Sequence, residues 1–279
     1  MDAAHSEAAH PAGPEGGGPE GCALVTGATG GIGGAIARAL AEAGVRVLVT
    51  GRDEARAAEL AAALEDATGT RCIGAELDVT KPDSVAALEE AAAPIGPVEW
   101  LINNAGIADS APALAPENDS KLRRMMEVNF HGPLRLFARF GPGMVERGRG
   151  RVVQIASSAS LVGYAYVTAY SATKHALLGW TRSAALELGP KGIGIGAICP
   201  HYVDTPLTDR NIETMKAKTG RSDEDLRAFL ASQNPGGAII SAAEVAAAAL
   251  ELLRAPNSGV VLELDGAGTR VVDEGLPIA

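Results

Sequence analysis

Tyr170 and Lys174 are spaced for proton chemistry. They lie four residues apart in AYSATKHALLG (169–179), where small and hydroxylated residues lead into an apolar helical pattern. Residues four apart share one face of a helix. A cation within about 4–6 Å of a phenol favours the phenolate and lowers a pKa that is otherwise ~10. The pair is therefore a candidate acid/base centre, unless it is an ordinary surface contact between helical neighbours.

A glycine-rich turn upstream has the composition of a phosphate-binding loop. TGATGGIG (26–33) follows a short apolar run and opens an amphipathic segment. Gly27, Gly31 and Gly33 permit a tight turn and let a pyrophosphate approach the backbone at a helix N-terminus. Ile36 stands where the general dinucleotide fingerprint has its last glycine, so the spacing is T-G-x-x-x-G-x-G. The strand before it and the helix after it favour a dinucleotide over a turn without a ligand.

The residues after the second strand pattern bear on the choice of nicotinamide cofactor. An acid there would bind the ribose 2′-hydroxyl of NAD, whereas an arginine suits the 2′-phosphate of NADP. In VLVTGRDE, Gly51 occupies the acid's place and Arg52 follows it. Asp53 is better placed as the N-cap of the next helix. These residues favour NADP, with NAD as the alternative and a solvated surface charge as the plain explanation of Arg52.

Alternating strand and helix patterns must position these groups. Continuously apolar strands separated by helices predict a parallel, doubly wound α/β sheet covered on both faces. About seven strands are expected, at 22–27, 45–51, 71–79, 98–106, 151–157, 194–200 and 260–266. We predict a single domain over 21–279, preceded by a disordered Gly- and Pro-rich tail over 1–20.

The segment at about 205–235 breaks this alternation and is a candidate substrate lid. It has mixed charge and weak helical patterns, and it follows the carboxyl end of a central strand. Ligands bind outside that end of such sheets. Its basic and acidic side chains nearly balance, which argues weakly against a dedicated site for coenzyme A or an acidic carrier protein.

Composition excludes several classes of protein. A net charge of −10 over 279 residues repels nucleic acid. No apolar run approaches the roughly 20 residues that span a bilayer, so no membrane partner is expected. Cys22, Cys72 and Cys199 fall in apolar strand patterns without metal-ligand spacing. We therefore predict buried thiols, no metal site and a cytoplasmic protein.

Three motifs in order resemble the classical short-chain dehydrogenase/reductase (SDR) family: TGATGGIG, NNAG (103–106) and YSATK (170–174). The resemblance covers about residues 21–266. It implies a Rossmann-type fold, a nicotinamide cofactor, a small-molecule carbonyl or alcohol substrate, and a homo-oligomer, either tetramer or dimer.

The resemblance also implies catalytic roles. Tyr170 would be the acid/base and Lys174 its partner. Ser157, 13 residues before Tyr170, would hold the substrate oxygen, with Ser158 as the fallback. Asn129 in MEVNFHG would help to hold a proton-relay water.

For the cofactor, Thr29 would meet the 2′-phosphate and Asp78 the adenine. The full set of expected cofactor-binding residues is Gly27, Thr29, Gly31, Ile32, Gly33, Arg52, Asp78, Val79, Asn103, Ala105, Gly106, Tyr170, Lys174, Pro200, Val203 and Thr205. One departure concerns the pocket, because the family usually has Pro-Gly where this chain has Pro200-His201.

All four tyrosines fall between residues 164 and 202, around the candidate centre. Either they cluster by chance in the core, or they line an aromatic pocket for a bulky or planar ketone. In the second case Tyr164, His201 and Tyr202 would contact the substrate together with Ser157.

The sequence thus predicts an NADP(H)-preferring oxidoreductase acting on a carbonyl or secondary alcohol. A 3-oxoacyl-thioester or polyketide ketoreductase is the alternative within enzymes. A cofactor-binding regulator without turnover is the alternative from another class, and the retained Ser157, Tyr170, Lys174 and Asn129 argue against it.

Overall fold

A computed structural model describes residues 18–278. Residues 1–17 of the predicted tail lie outside the described residues. Glu20, the last residue of the predicted tail, contacts the folded domain, because its backbone N–H donates to Glu99 at 2.9 Å.

The described residues form one sheet of eight strands in the order β3-β2-β1-β4-β5-β6-β7-β8. The strands are β1 Cys22–Val25, β2 Val47–Gly51, β3 Cys72–Glu76, β4 Val98–Asn103, β5 Gly150–Ile155, β6 Ile193–Pro200, β7 Asn257–Leu264 and β8 Thr269–Pro277. The first seven pair in parallel, as the sequence predicts, and β8 adds an antiparallel strand to the edge of β7. Several predicted strands run a few residues past the observed ends, because the predictions include the first residues of the following turns, such as Thr26–Gly27 and Asn104–Gly106.

Helices cover both faces of the sheet. They are α1 Gly31–Glu42, α2 Glu54–Thr68, α3 Pro82–Ala92, α4 Asn118–Met126, α5 Gly132–Arg147, α6 Thr168–Leu188, α7 Pro206–Thr219, α8 Asp223–Gln233 and α9 Ala242–Arg254. The predicted N-cap at Asp53 is confirmed, since its carboxylate accepts from the Arg56 N–H at 3.1 Å. The fold is a single-domain Rossmann-type α/β sheet.

The two faces of the central strands enter two different core clusters. Val25 and Ile102 pack with α1 and α9 on one side, while Leu24 and Leu101 pack with α3, α5 and α6 on the other. Each such side chain stabilises the fold by about 1.5–3 kcal/mol on burial. Because β1, β4, β5 and β6 are parallel, their carboxyl ends share one edge, and the predicted site residues lie there.

Candidate active site

The turn between β1 and α1 is shaped for a phosphate group. Gly27 and Gly31 have positive φ angles of 62° and 56°. Helix α1 has no side-chain cap at Gly30 and no acid in its first turn, so its N–H groups stay available for an anion. A Cβ at Gly33 would overlap the Asn104 amide and the Gly27 carbonyl. Gly27 and Gly31 are favoured by their positive φ angles, and Gly33 is required by the close approach of its neighbours.

Asn104 and Thr26 fix this turn, and the sequence reasoning missed both. The Asn104 amide donates to the carbonyls of Thr26 and Gly27 at 2.9 and 3.1 Å. The Thr26 hydroxyl accepts from the backbone N–H groups of Asn104 and Ala105, each at 2.9 Å. The two adjacent asparagines in NNAG could have pointed to Asn104 as well as to Asn103. Asn103, which the sequence analysis selected for cofactor binding, is buried, and its side-chain amide has no hydrogen-bond partner among residues 18–278.

At the end of β2, the structure leaves no space for a side chain at position 51, which is a glycine. A Cβ there would lie 2.7 Å from the Thr29 methyl carbon. Arg52 is exposed beside it. Arg56, which sequence reasoning did not select, donates to the Thr29 carbonyl at 3.2 Å. The Arg56 guanidinium therefore contacts the phosphate turn at Thr29, and the exposed Arg52 follows Gly51 in the chain.

Asp78 and Val79 lie after β3, on the same edge. The Asp78 carboxylate accepts from the hydroxyl and backbone N–H of Thr80, and these bonds hold the pKa of Asp78 below its ordinary value. Val79 packs against Gly132, where a Cβ would come within 2.8 Å of it.

Ser157, Tyr170 and Lys174 meet where β5 ends and α6 begins. The Ser157 hydroxyl accepts from the Ala159 N–H at 3.1 Å and faces the Tyr170 phenol. Lys174 is 4% exposed, donates to the Ile155 carbonyl at 2.9 Å, and lies 5.8 Å from the centre of the Tyr170 ring. The fallback Ser158 is buried. The arrangement therefore favours Ser157.

Burial dominates the electrostatics of this centre. It raises the pKa of the Tyr170 phenol above its ordinary value, and the facing Ser157 hydroxyl lowers it in part. It also lowers the pKa of Lys174 to about 8. The expected depression of the phenol pKa by Lys174 is not found, because the ammonium group points to the Ile155 carbonyl rather than to the phenol oxygen.

Asn129 lies in a π-helical segment, Glu127–His131, between α4 and α5. Such segments often occur at functional sites. Its amide oxygen accepts from the Ile107 N–H at 2.8 Å, while its nitrogen donates to the Ile107 carbonyl and the Thr173 hydroxyl. Asn129 thus anchors the loop after β4 next to Lys174, and its role toward a relay water stays a prediction.

The residues after β6 return to the phosphate turn. Thr205 caps α7 by accepting from the Thr208 N–H, and its side-chain carbons would lie 3.4 Å from a Cβ at Gly31. Val203 is buried and forms a bridge with Ile240. Pro200 ends β6. Thr205 therefore lies next to the phosphate turn at Gly31.

Three of the four tyrosines converge on this edge. The Tyr202 phenol contributes to the raised pKa of Tyr170, and Tyr164 contributes to that of Tyr202, in both cases after burial as the main cause. His201 brings its Nδ1 to 3.5 Å from the Tyr164 hydroxyl. Tyr166 instead points outward, with 65% of its surface exposed and a strained φ of 68°.

The segment predicted as a lid is a helical hairpin, α7 and α8, with a small core of its own. Ile212, Leu226 and Leu230 form a cluster separate from the main core. Arg227 of α8 pairs with Asp204 and Asp209 at the entrance to α7.

Two properties of the described residues bear on partners. No helix within 18–278 combines the length and the apolar character that a membrane crossing requires. In the same range, no three His, Cys, Asp or Glu side chains are grouped so that they could share a metal ion.

Known proteins with similar chains include several oxidoreductases. Cis-4-hydroxycyclohexanecarboxylate dehydrogenase of Sinomonas cyclohexanicum is 37% identical over 253 residues, which cover 89% of this chain and 96% of that protein. D-beta-hydroxybutyrate dehydrogenase of Rhizobium meliloti is 32% identical, covering 88% and 98%. A single-residue variant of actinorhodin polyketide ketoreductase, solved with NADPH, superposes with a TM-score of 0.81 at 32% identity, covering 88% and 96%.

The family model for short chain dehydrogenases matches residues 21–216, which include the phosphate turn, the NNAG segment and the Tyr170–Lys174 pair. The motifs, the fold and the relatives agree. The chain belongs to the short-chain dehydrogenase/reductase family, the oxidoreductases that act on CH–OH groups.

Proposed function

We propose that this enzyme prefers NADP(H) and transfers hydride between the nicotinamide and a bulky or aromatic ketone or its secondary alcohol. The observation that carries the proposal is the convergence of Ser157, Tyr170 and Lys174 on the edge that holds the phosphate turn. A protein that only bound the cofactor would need no buried proton donor there.

The residues present fit a dinucleotide. The open N-terminus of α1 and the free space at Gly30, where a Cβ would meet nothing within 4 Å, suit a pyrophosphate, with Thr29 and Arg52 toward the adenosine ribose. Lys174 would hold the nicotinamide ribose. When bound, the nicotinamide supplies or accepts the hydride.

Proton transfer falls to the side chains. Tyr170 gives its phenolic proton to the alkoxide oxygen in reduction and takes it back in oxidation. Ser157 donates a hydrogen bond to the same oxygen and fixes its position. The raised pKa of Tyr170 keeps the phenol protonated at neutral pH, which is the form that reduction requires.

The preference for NADP(H) rests on Gly51, Arg52 and Arg56. An acid at position 51 would overlap Thr29, and the two arginines offer charge-assisted hydrogen bonds to a 2′-phosphate. Arg52→Gln should lower the ratio of kcat/KM with NADPH to that with NADH about tenfold or more. The exposed Arg254→Gln on α9 is the control and should leave the ratio unchanged.

The polyketide ketoreductase alternative is favoured by one observation, the similarity to actinorhodin ketoreductase over nearly its whole length. The near-balanced charges of α7 and α8 argue weakly against a carrier-protein partner. We place the hairpin as a substrate lid in either case.

We also propose a cytoplasmic homo-oligomer, tetramer or dimer. Three buried thiols without a disulfide suit a reducing compartment. Light scattering on a sizing column measures the assembly, and a monomeric mass would contradict it.

The deciding experiment measures hydride transfer with NADPH and NADH against aromatic ketones, aliphatic ketones, steroids and acyl thioesters. Tyr170→Phe removes the proton donor and should lower kcat by about 10²–10⁴-fold. Preferred turnover of acyl thioesters would select the ketoreductase alternative. Tight cofactor binding without turnover of any substrate would contradict the proposal.

A further inference from the structure

His201, the residue that departs from the family pattern, is held after the carboxyl end of β6 by contacts with β7 and with Tyr164. Its Nε2 lies 2.9 Å from Glu263 Oε1, and only 7% of the imidazole and 11% of the Glu263 side chain are exposed. Parallel pairing sets Glu263 opposite Cys199, and the His201 N–H donates to the Leu264 carbonyl at 3.0 Å. The imidazole is therefore oriented by β7.

This contact determines where the imidazole proton lies. Burial raises the pKa of Glu263, but hydrogen bonds from His201 and Arg270 outweigh it and keep that pKa below its ordinary value. A carboxylate only accepts hydrogen bonds, so Nε2 must donate. In the neutral imidazole the lone pair then lies on Nδ1, which is 3.5 Å from the Tyr164 hydroxyl.

We infer that His201 and Tyr164 form a hydrogen-bond acceptor site that selects substrates carrying a hydroxyl group besides the reacting carbonyl or alcohol carbon. Because Nδ1 carries no proton, the Tyr164 hydroxyl is the donor in this contact, and its oxygen is left to accept a hydrogen bond from the substrate hydroxyl. The substrate class is a hydroxyketone or a diol, and this inference rests on the proposed oxidoreductase function.

The neighbours of His201 and Tyr164 indicate that these two residues lie near the catalytic side chains. Tyr202 is close enough to Tyr170 and to Tyr164 for the charges of these phenols to affect one another. Cys199 is close enough to Tyr170, Lys174 and Glu263 for their charges to affect one another.

The activity test compares 4′-hydroxyacetophenone with 4′-fluoroacetophenone, and the 3′ pair likewise, with NADPH. The fluorine has a similar size but cannot donate. We expect the hydroxyl-to-fluorine ratio of kcat/KM for at least one pair to fall about tenfold in Tyr164→Phe and in His201→Gly, mainly through KM. Ratios that match the wild type in both variants would overturn the inference.

A second readout does not depend on turnover. Nitrogen NMR of protein labelled at histidine should show His201 with its proton on Nε2 at neutral pH, and Glu263→Gln should remove this preference. The His201→Gly variant assigns the signal. A proton on Nδ1, or on both nitrogens, overturns the inference. Absence of turnover with all ketones, combined with the expected NMR result, would instead reject the proposed function.

Discussion

At the scale of single residues, Lys174 is a charged side chain in an environment very unlike water. It is buried, it has one backbone hydrogen bond, and burial lowers its pKa from 10.5 to about 8. The folded protein therefore keeps an ammonium group in an unfavourable place. The role that we propose for Lys174, a cation beside the nicotinamide ribose, would explain why the cost is retained.

This cost predicts a pH dependence of stability. Between about pH 8 and 10.5 the unfolded chain holds a proton at Lys174 that the folded chain has released, so the free energy of unfolding rises with pH. Relative to Lys174→Met, the wild type should gain roughly 2–3 kcal/mol from about pH 7.5 to about pH 10. Urea titrations of both proteins measure the difference.

The control is Lys218→Met, at an exposed position on α7. Its difference from the wild type should stay constant over the same range. A constant difference for Lys174→Met as well would show that burial does not depress the pKa of this lysine.

At the scale of elements, the strand–turn–helix unit around α1 depends on close packing between two separate segments. The Asn104 amide bonds the turn from the β4 side, and Gly33 leaves the space that this amide needs. The shape of the phosphate turn therefore depends on β1, on α1 and on the residues that follow β4.

Gly33→Ala should weaken NADPH binding about tenfold or more, because the new methyl group displaces the Asn104 amide from its two carbonyls. Fluorescence titration gives the Kd. Gly179→Ala on α6, where a Cβ meets nothing within 4 Å, is the matched control. Equal affinity of both variants and the wild type would show that the amide contact does not shape the turn.

The elements that the sequence predicts are those with a strong apolar signal. Strands β1 to β7 are confirmed because most of their residues are buried on both faces, which leaves continuous apolar runs. Strand β8 was missed because it lies at the edge and most of its side chains are partly or fully exposed. The π-helical turn around Asn129 has no sequence signature. The pairing of His201 with Glu263 could not be predicted from the sequence either, because it depends on the register between β6 and β7.

At the scale of the whole molecule, a buried carboxylate joins distant segments at the amino-terminal edge of the sheet, opposite the catalytic centre. Glu99 on β4 is 3% exposed. It accepts from the Glu20 backbone N–H at 2.9 Å and from Arg149 Nε at 3.2 Å, and the Arg147 guanidinium lies 3.7 Å away. Chain segments before β1 and after α5 thus meet at one group.

Glu99→Gln should lower the free energy of unfolding by about 1–3 kcal/mol, since it leaves two guanidinium groups without their buried partner. Kinetic constants should not change, because the site is at the opposite edge. Glu65→Gln, which breaks an exposed pair with Arg71, should cost less than about 1 kcal/mol. Urea unfolding compares them, and equal losses would contradict a special role for Glu99.

The reactivity of the three buried thiols described above can report how the protein unfolds. Burial raises the pKa of all three, to about 12 for Cys22 and Cys199. Alkylating reagents attack only thiolates that they can reach, so each cysteine reacts when its strand opens. Cys72 lies on the outermost strand β3, whereas Cys22 and Cys199 lie on interior strands. The order in which mass spectrometry finds them alkylated reports which side of the sheet separates first.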